Sequence, residues 1–517
     1  GMTIDDETRS WHPRDKVDWD YPPDPSDASC PVTCLGHDNG FNFFLSSNGQ
    51  YRVIEDAALR GERILGLFGT KWHWLARKFP LCNAKGDPMY TGEWSIREAQ
   101  SWLIAGCAKA GLFRPGNKVR GIGTWRGPPG GAGDGSAPAH LVVHCGEQVL
   151  FKGEWLDAGR VIDGHIYVAE APVGRPAARP AMAADIEHYF DFLGHWTWRE
   201  PKQARMIFLG AQCAGFLVGA LRWRPHVQIG GKPHSGKSTL DELTRGLWGS
   251  IAHEASKPTE AFLRQDIGWG ARPVIVDEFE ADWPEQAMKI IDLFTIASKE
   301  GQSDTGRGSA GGKAQRFPFR ATGYFSSNLV LRLRDKHRQR ICLLELDLPP
   351  TGEAVDGTPA SQAVQQGVAY WSEWGPRFFR RLLDGWPRFL ANHATIEGAL
   401  AARNASARTV DQLGTLLALA WTMRWDAPIA ATAADDLVAE YNIPNLVGEA
   451  EDSEERQMLR HLLGWPVTIP HEGGGNERAL LGHLVRRTGE IGHRLRGYDL
   501  VLRDHGLALE YVKPGGK

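Results

Sequence analysis

Residues 225–240 read PHVQIGGKPHSGKSTL, and the spacing from Gly231 to Ser238 is G-x-x-x-x-G-K-[ST]. Residues of these types at this spacing can cradle phosphate. Gly231 and Gly236 permit a tight turn and a close backbone approach that side chains would block. The loop amides and the N-terminus of the following helix aim partial positive charge at an anion. Lys237 adds a full charge toward the β- and γ-phosphates, and Ser238 offers a hydroxyl to Mg2+. Ser235 and Thr239 complete the expected nucleotide-binding set, with ATP and Mg2+ as the expected ligands. Val227 and Ile229 predict a short strand before the loop, and the residues from Lys237 onward predict a helix after it.

About forty residues beyond Lys237 comes RPVIVDEFE. Residues 274–276 predict a buried strand that ends on Asp277 and Glu278. A carboxylate at the C-terminal end of such a strand can hold Mg2+ through water, and its neighbour can polarise an attacking water. Residues 321–327 (ATGYFSS) predict another strand, closed by Asn328, whose amide can orient that water or touch the γ-phosphate. The stretch LRLRDKHRQRICLLELDLP then sets Arg338 and Arg340 just before a predicted strand over 341–346. Guanidinium is always ionised and forks onto phosphate oxygens. An arginine there could reach the γ-phosphate of a neighbouring copy; Arg340 is the first choice and Arg338 the second. Between Glu278 and Asn328, two polar-aromatic arms flank residues 308–312 and predict a hairpin. Arg307, Ser309 and Lys313 at its tip suit a grip on a phosphate backbone without base readout.

A predicted strand over 251–255 and the adjacent Glu278 place this core in the P-loop class with an extra central strand, to which AAA+ and superfamily-3 proteins belong. Taken together, GKPHSGKST, VIVDEFE, the basic hairpin, YFSSN and RQRICLLEL resemble the ATPase module of superfamily-3 helicases, in particular the poxvirus-type and phage or plasmid primase-helicase branch. The resemblance covers 225–350, about a quarter of the chain. It implies Lys237 and Ser238 on phosphate and Mg2+, Asp277 and Glu278 as metal and catalytic carboxylates, Asn328 as sensor and Arg340 as finger. Arg307, Ser309 and Lys313 fall where such proteins carry a DNA-contacting hairpin. A homo-oligomeric ring, usually a hexamer, is implied, moving on single-stranded or forked DNA beside a primase or polymerase partner. LGHDNG and VRGIGTW also resemble the segment before the P-loop in phage- and prophage-encoded replication proteins. Residues 29–172 carry no acidic metal triad, so priming is not implied.

These motifs need elements to hold them. At 517 residues the chain exceeds what one core usually organises. The expected fold is α/β and multidomain. A flexible tail (1–28) precedes an α+β domain (29–172), a Pro/Ala/Arg linker (173–185) and a helical lead-in (186–224). The P-loop core (225–350), a helical region (351–450) and a winged-helix-like domain (451–517) follow. In the last, 477–489 is read as a helix, and Arg486, Arg487, Arg494 and Arg496 could meet DNA phosphates. The net charge of −3 gives no global basic field, so nucleic acid must be met by local patches. Seven cysteines without regular spacing suit a reducing cytoplasm, here that of a bacterial host of a phage or mobile element. The first twenty residues are acidic rather than leader-like, and the apolar run at 206–221 reads as a buried helix, not a membrane span. Cys30-x-x-x-Cys34-x-x-His37 lacks the second ligand pair a structural zinc needs, and 121–127 misses G-x-G-x-x-G. The expected activity is an ATP-driven DNA translocase or replicative helicase. The alternatives are an ATP-gated origin-binding initiator and an AAA+ ATPase remodelling a protein.

Overall fold

The computed structural model describes residues 2–4, 11–13, 30–116, 118–127, 140–277, 284–299, 306–308, 314–316, 318–327, 335–349, 359–441, 466–471 and 475–480. The chain divides into two units, Gly1–Asn442 and Ile443–Lys517.

At the centre of the first unit lies a sheet of five parallel strands. Across the sheet they run His253–Ser256, Ala271–Asp277, Arg320–Ser327, His226–Gly231, Ile341–Leu346. Arg320–Ser327 therefore sits between the P-loop strand and the strand ending in Asp277, although it comes last of the three in sequence. Parallel strands covered on both faces read as apolar runs rather than alternating ones, which is why Val274, Ile275 and Val276 stand together. On one face, Ile290, Ile291 and Phe294 of the helix Pro284–Ala297 pack against Val274, Val276, Ala321 and Phe325. The other face is covered by Pro201–Phe216, buried without interruption from Met206 to Phe216. Its run of apolar residues on all sides is explained by burial between the sheet and the helix Ala407–Arg424. Among the described residues no helix is long and apolar enough to cross a membrane.

Among the described residues, the helical region holds the helices Pro359–Ser372, Gly375–Asp384, Trp386–Ala402, Ala407–Arg424 and Ala431–Ala439. Polar side chains fix them to the core. Gln412 donates to the carbonyl of His226 (2.9 Å) and accepts from Trp223 Nε1 (2.7 Å), joining a helix, the P-loop strand and the end of the lead-in.

Ahead of the core, Thr33–Asp38, Phe41–Leu45 and Tyr51–Glu55 form an antiparallel meander, its second turn at 46–50. The helix Ile96–Ala110 starts where Ser95 Oγ accepts from the Glu98 amide at 3.3 Å. Residues 119–126 form two short strands in different sheets, Val119–Arg120 and Gly123–Arg126. The physical reason is docking. Gly121 N donates to Trp269 O (2.9 Å) and Ala271 N to Ile122 O (2.8 Å), which draws 121–122 onto the start of the Asp277 strand. The thiol of Cys34 donates to Leu103 O at 3.7 Å. Among the described residues no group of three or more His, Cys, Asp or Glu side chains could hold a metal ion.

In the second unit, Pro466–His471 pairs with Gly475–Leu480 from Pro466↔Leu480 to His471↔Gly475. This corrects the helix expected over 477–489, since 477–480 is strand. The two segments pair antiparallel along their whole length, and this cross-strand pairing overrides the helical preference of Glu477, Arg478, Ala479 and Leu480. The remainder of the winged-helix reading, with Arg486, Arg487, Arg494 and Arg496, lies outside the described residues.

Candidate nucleotide-binding site

The P-loop strand ends at Gly231, and the helix Lys237–Trp248 begins five residues after it leaves the sheet. Gly236 caps that helix in the left-handed conformation, φ +87°. An added Cβ there would also lie 3.0 Å from Trp196 Nε1. At Gly231, a Cβ would meet Ser235 Oγ at 2.6 Å and Leu346 O at 2.8 Å, so the loop closes only around hydrogen. Lys237 is 8% exposed, and its ammonium donates to Gly231 O (2.6 Å) and Lys232 O (3.0 Å). Ser235 is 5% exposed, and its Oγ is buried without a hydrogen-bond partner. Ser238 is exposed and Thr239 half-buried at the start of the helix.

Because the strands are parallel, their C-terminal ends share one edge. Gly231, Asp277 and Ser327 all lie on it. Asp277 is exposed there. Behind this edge sits a buried polar cluster. Tyr324 donates to Asp241 Oδ1 at 2.7 Å, and Gln228 Nε2 to Ser327 Oγ at 3.0 Å. Asp241 is 3% exposed, one turn beyond Lys237 on the same helix. Burial pushes its carboxyl up to about 6, against the pull of hydrogen bonds from Tyr324 and Ser326; Asp277 raises it a little further and Arg245 lowers it. A neutral His226 sits at the base of the P-loop strand, burial holding it down at about 3. Its Nδ1 accepts from Gly323 N (2.9 Å) and its Nε2 donates to Phe294 O (2.8 Å), which fixes the tautomer.

The segment between the helices Ala183–Phe192 and Pro201–Phe216 crosses the same edge. Trp196 Nε1 donates to Gly236 O at 2.9 Å. Asp347 N donates to Thr197 O (2.8 Å) and Arg199 N to Glu345 O (3.0 Å), so this segment covers the open side of the last strand.

Arg340 occupies the opposite end of the sheet. The register between the P-loop strand and the last strand runs from His226↔Ile341 to Gly231↔Leu346. At about 3.3 Å per residue, those five steps span roughly 17 Å. Arg340 and Arg338 therefore lie too far from the P-loop of their own chain to touch its nucleotide. His337, fully buried, bonds Asp292 at 2.8 Å, and its carbonyl accepts from Arg340 N at 2.9 Å, which fixes the turn.

No family model and no curated protein matches the chain. Among solved structures, the chain is similar to the active helicase Cch of SCCmec type IV at 11% identity and a TM-score of 0.44, over 92% of this chain and 88% of that one. It is also similar to the apo NrS-1 C-terminal region, at 9% identity and a TM-score of 0.31, over 87% of this chain and 96% of that one. A second apo form of that region gives 11%, 0.33, 87% and 97%. With TM-scores below 0.5, none of these likenesses bears on the chemistry of the site.

Of the residues expected from sequence, the structure brings Gly231, Ser235, Gly236, Lys237, Ser238, Thr239 and Asp277 to one edge of the sheet. Arg338 and Arg340 stand at the other end. Glu278, Asn328, Ser309 and Lys313 lie outside the described residues. Arg307 lies in the strand Gly306–Gly308, which pairs with Ala314–Arg316 as an antiparallel hairpin. Sequence reasoning missed Asp241, Tyr324 and Trp196. The signal for Asp241 was present: Lys237, Asp241, Thr244 and Trp248 recur at helical spacing on the buried face, where a carboxylate needs partners.

Proposed function

We propose that the chain is an ATP-driven DNA translocase, a replicative helicase that hydrolyses ATP between copies of itself. The observation that carries this reading is the order of the sheet. The phosphate cradle and Asp277 share one edge, Arg320–Ser327 lies between their strands, and Arg340 stands at the far end. A guanidinium so placed can complete only the site of another copy, which calls for a closed ring, a hexamer in our reading.

The residues present fit ATP with Mg2+. Gly231 and Gly236 close the loop tightly with no room for a Cβ, Ser235 Oγ has no hydrogen-bond partner, and Ser238 and Asp277 offer exposed hard oxygen ligands. Bound Mg2+ would neutralise charge on the β- and γ-phosphates. In this reading Lys237 leaves the carbonyls of Gly231 and Lys232 for the phosphates. Glu278 accepts a proton from water as that water attacks the γ-phosphorus and the bond to the bridging oxygen of ADP breaks. Asn328 orients the water, and Arg340 of a second copy neutralises charge on the departing phosphoryl group. Tyr324 and Ser326 hold Asp241 and tie the strand leading to Asn328 to the P-loop helix. Arg307, Ser309 and Lys313 grip the backbone of single-stranded DNA as the interfaces open and close.

Displacement of a labelled strand from a forked duplex tests this. We expect unwinding that requires hydrolysable ATP and disappears in Lys237→Ala. Footprints on duplex without unwinding would favour an origin-binding initiator, and indifference to DNA would favour a motor acting on protein.

A further inference from the structure

A second arginine stands beside Arg340, on the helical region rather than the sheet. Ser406 caps the helix Ala407–Arg424, its Oγ accepting from Thr409 N at 3.2 Å, so Arg408 lies in the first turn. The partial positive charge of a helix N-terminus disfavours a cation there. Something other than helix stability must account for it. Arg408 is exposed and donates to Gln339 Oε1, the side chain adjoining Arg340. One turn later on the same face, Gln412 is fastened to the His226 carbonyl, which holds this helix end against the base of the sheet. Arg340 is half-buried, and its Nε is enclosed without an acceptor. Burial, and after it the charge of Arg408, hold Arg340 below the ordinary guanidinium range. Neither arginine has a carboxylate partner among the described residues.

Two guanidiniums, one bonded to the side chain that adjoins the other in sequence, with an enclosed and unfilled N–H, form half of an anion site. By the strand register, Arg340 stands roughly 17 Å from the P-loop of its own chain. We infer that Arg408 is a second trans-acting catalytic residue, which together with Arg340 clasps the γ-phosphate of a nucleotide bound to a neighbouring copy of this chain. This rests on the reading of the P-loop as an ATPase site. No proton moves through the pair: both side chains stay charged and offset the negative charge that spreads over the phosphoryl oxygens. The site joins a sheet turn to a helix of the helical region, so closing the clasp would register the position of both.

The test is steady-state ATP hydrolysis by the full chain without DNA, with Arg408→Ala, Arg408→Lys, Arg340→Ala, Gln339→Ala and Lys237→Ala. Arg408→Ala should lower kcat by about tenfold to a hundredfold, with KM for ATP within about threefold. Arg408→Lys, which keeps the charge and loses the fork, should fall between. Gln339→Ala should stay within about threefold of wild type. Mixing Arg408→Ala with Lys237→Ala should restore hydrolysis beyond the sum of the two, since the second variant supplies arginines to the intact P-loops of the first. Unchanged kcat in Arg408→Ala overturns the inference. So does an equal loss in Gln339→Ala, which would make Arg408 a prop for the turn. A change confined to the DNA concentration needed for stimulation would assign the pair to a DNA phosphate instead. If wild type and Lys237→Ala hydrolyse ATP equally or not at all, the nucleotide reading itself fails, a result distinct from active wild type with indifferent Arg408→Ala.

Discussion

Replacing Asp241 by Asn should change how the stability of the first unit depends on pH. Burial pushes the carboxyl of Asp241 up to about 6 from its ordinary 3.8. Between those values the unfolded chain has released the proton and the folded chain keeps it, so stability falls as pH rises and levels off above pH 6. At 1.36 kcal/mol per pH unit the interval amounts to about 3 kcal/mol. Unfolding entropy of about 2.1 cal/mol/K per residue, taken over the roughly 440 residues of Gly1–Asn442, converts this to a Tm change of about 3 °C. Asn has no charged form and escapes the loss. Melting of both proteins, followed by tryptophan fluorescence, should therefore give a Tm difference (Asp241→Asn minus wild type) that grows by about 2.6 °C from pH 4 to pH 7, more than half of it above pH 5. A flat difference, or one that shrinks with pH, would refute the reasoning. It would mean that Tyr324 and Ser326 hold the charged carboxylate as well as water does.

Other outcomes follow from the same geometry. Gly236→Ala forces a side chain into the left-handed region at a cost of about 1–2 kcal/mol and presses on Trp196, so titration with a fluorescent ATP analogue should show affinity about tenfold weaker or worse; unchanged affinity would show that the loop can re-form without its left-handed cap. With Arg307→Ala and Lys313→Ala combined, the ratio of DNA-stimulated to DNA-free hydrolysis should fall toward one, and retention of normal strand displacement would remove the hairpin from the account.

The core was readable because its signals are local. A glycine-spaced loop after an apolar pair, the triplet at 274–276 and the pattern at 321–327 each specify an element with few partners, and each is where it was expected. The position of Arg320–Ser327 between two earlier strands followed only from class, since no local pattern fixes the lateral order of parallel strands. The break between Val119–Arg120 and Gly123–Arg126 had no local signal, because it is set by Trp269 and Ala271, far away in sequence. At 477–480, cross-strand pairing prevailed over good helix formers. Trp196 escaped notice because a tryptophan in an aromatic-rich stretch reads as core, and nothing in the sequence says that its indole N–H meets the last loop glycine.

In the proposed function, Lys237 and its loop hydrolyse ATP in the service of single-stranded DNA. The most direct measurement is phosphate release from Mg2+-ATP by the full chain, with and without an unstructured single strand. Hydrolysis should rise severalfold with the strand and be abolished by Lys237→Ala under both conditions. Hydrolysis that survives Lys237→Ala, or that ignores the strand at every concentration, would contradict it.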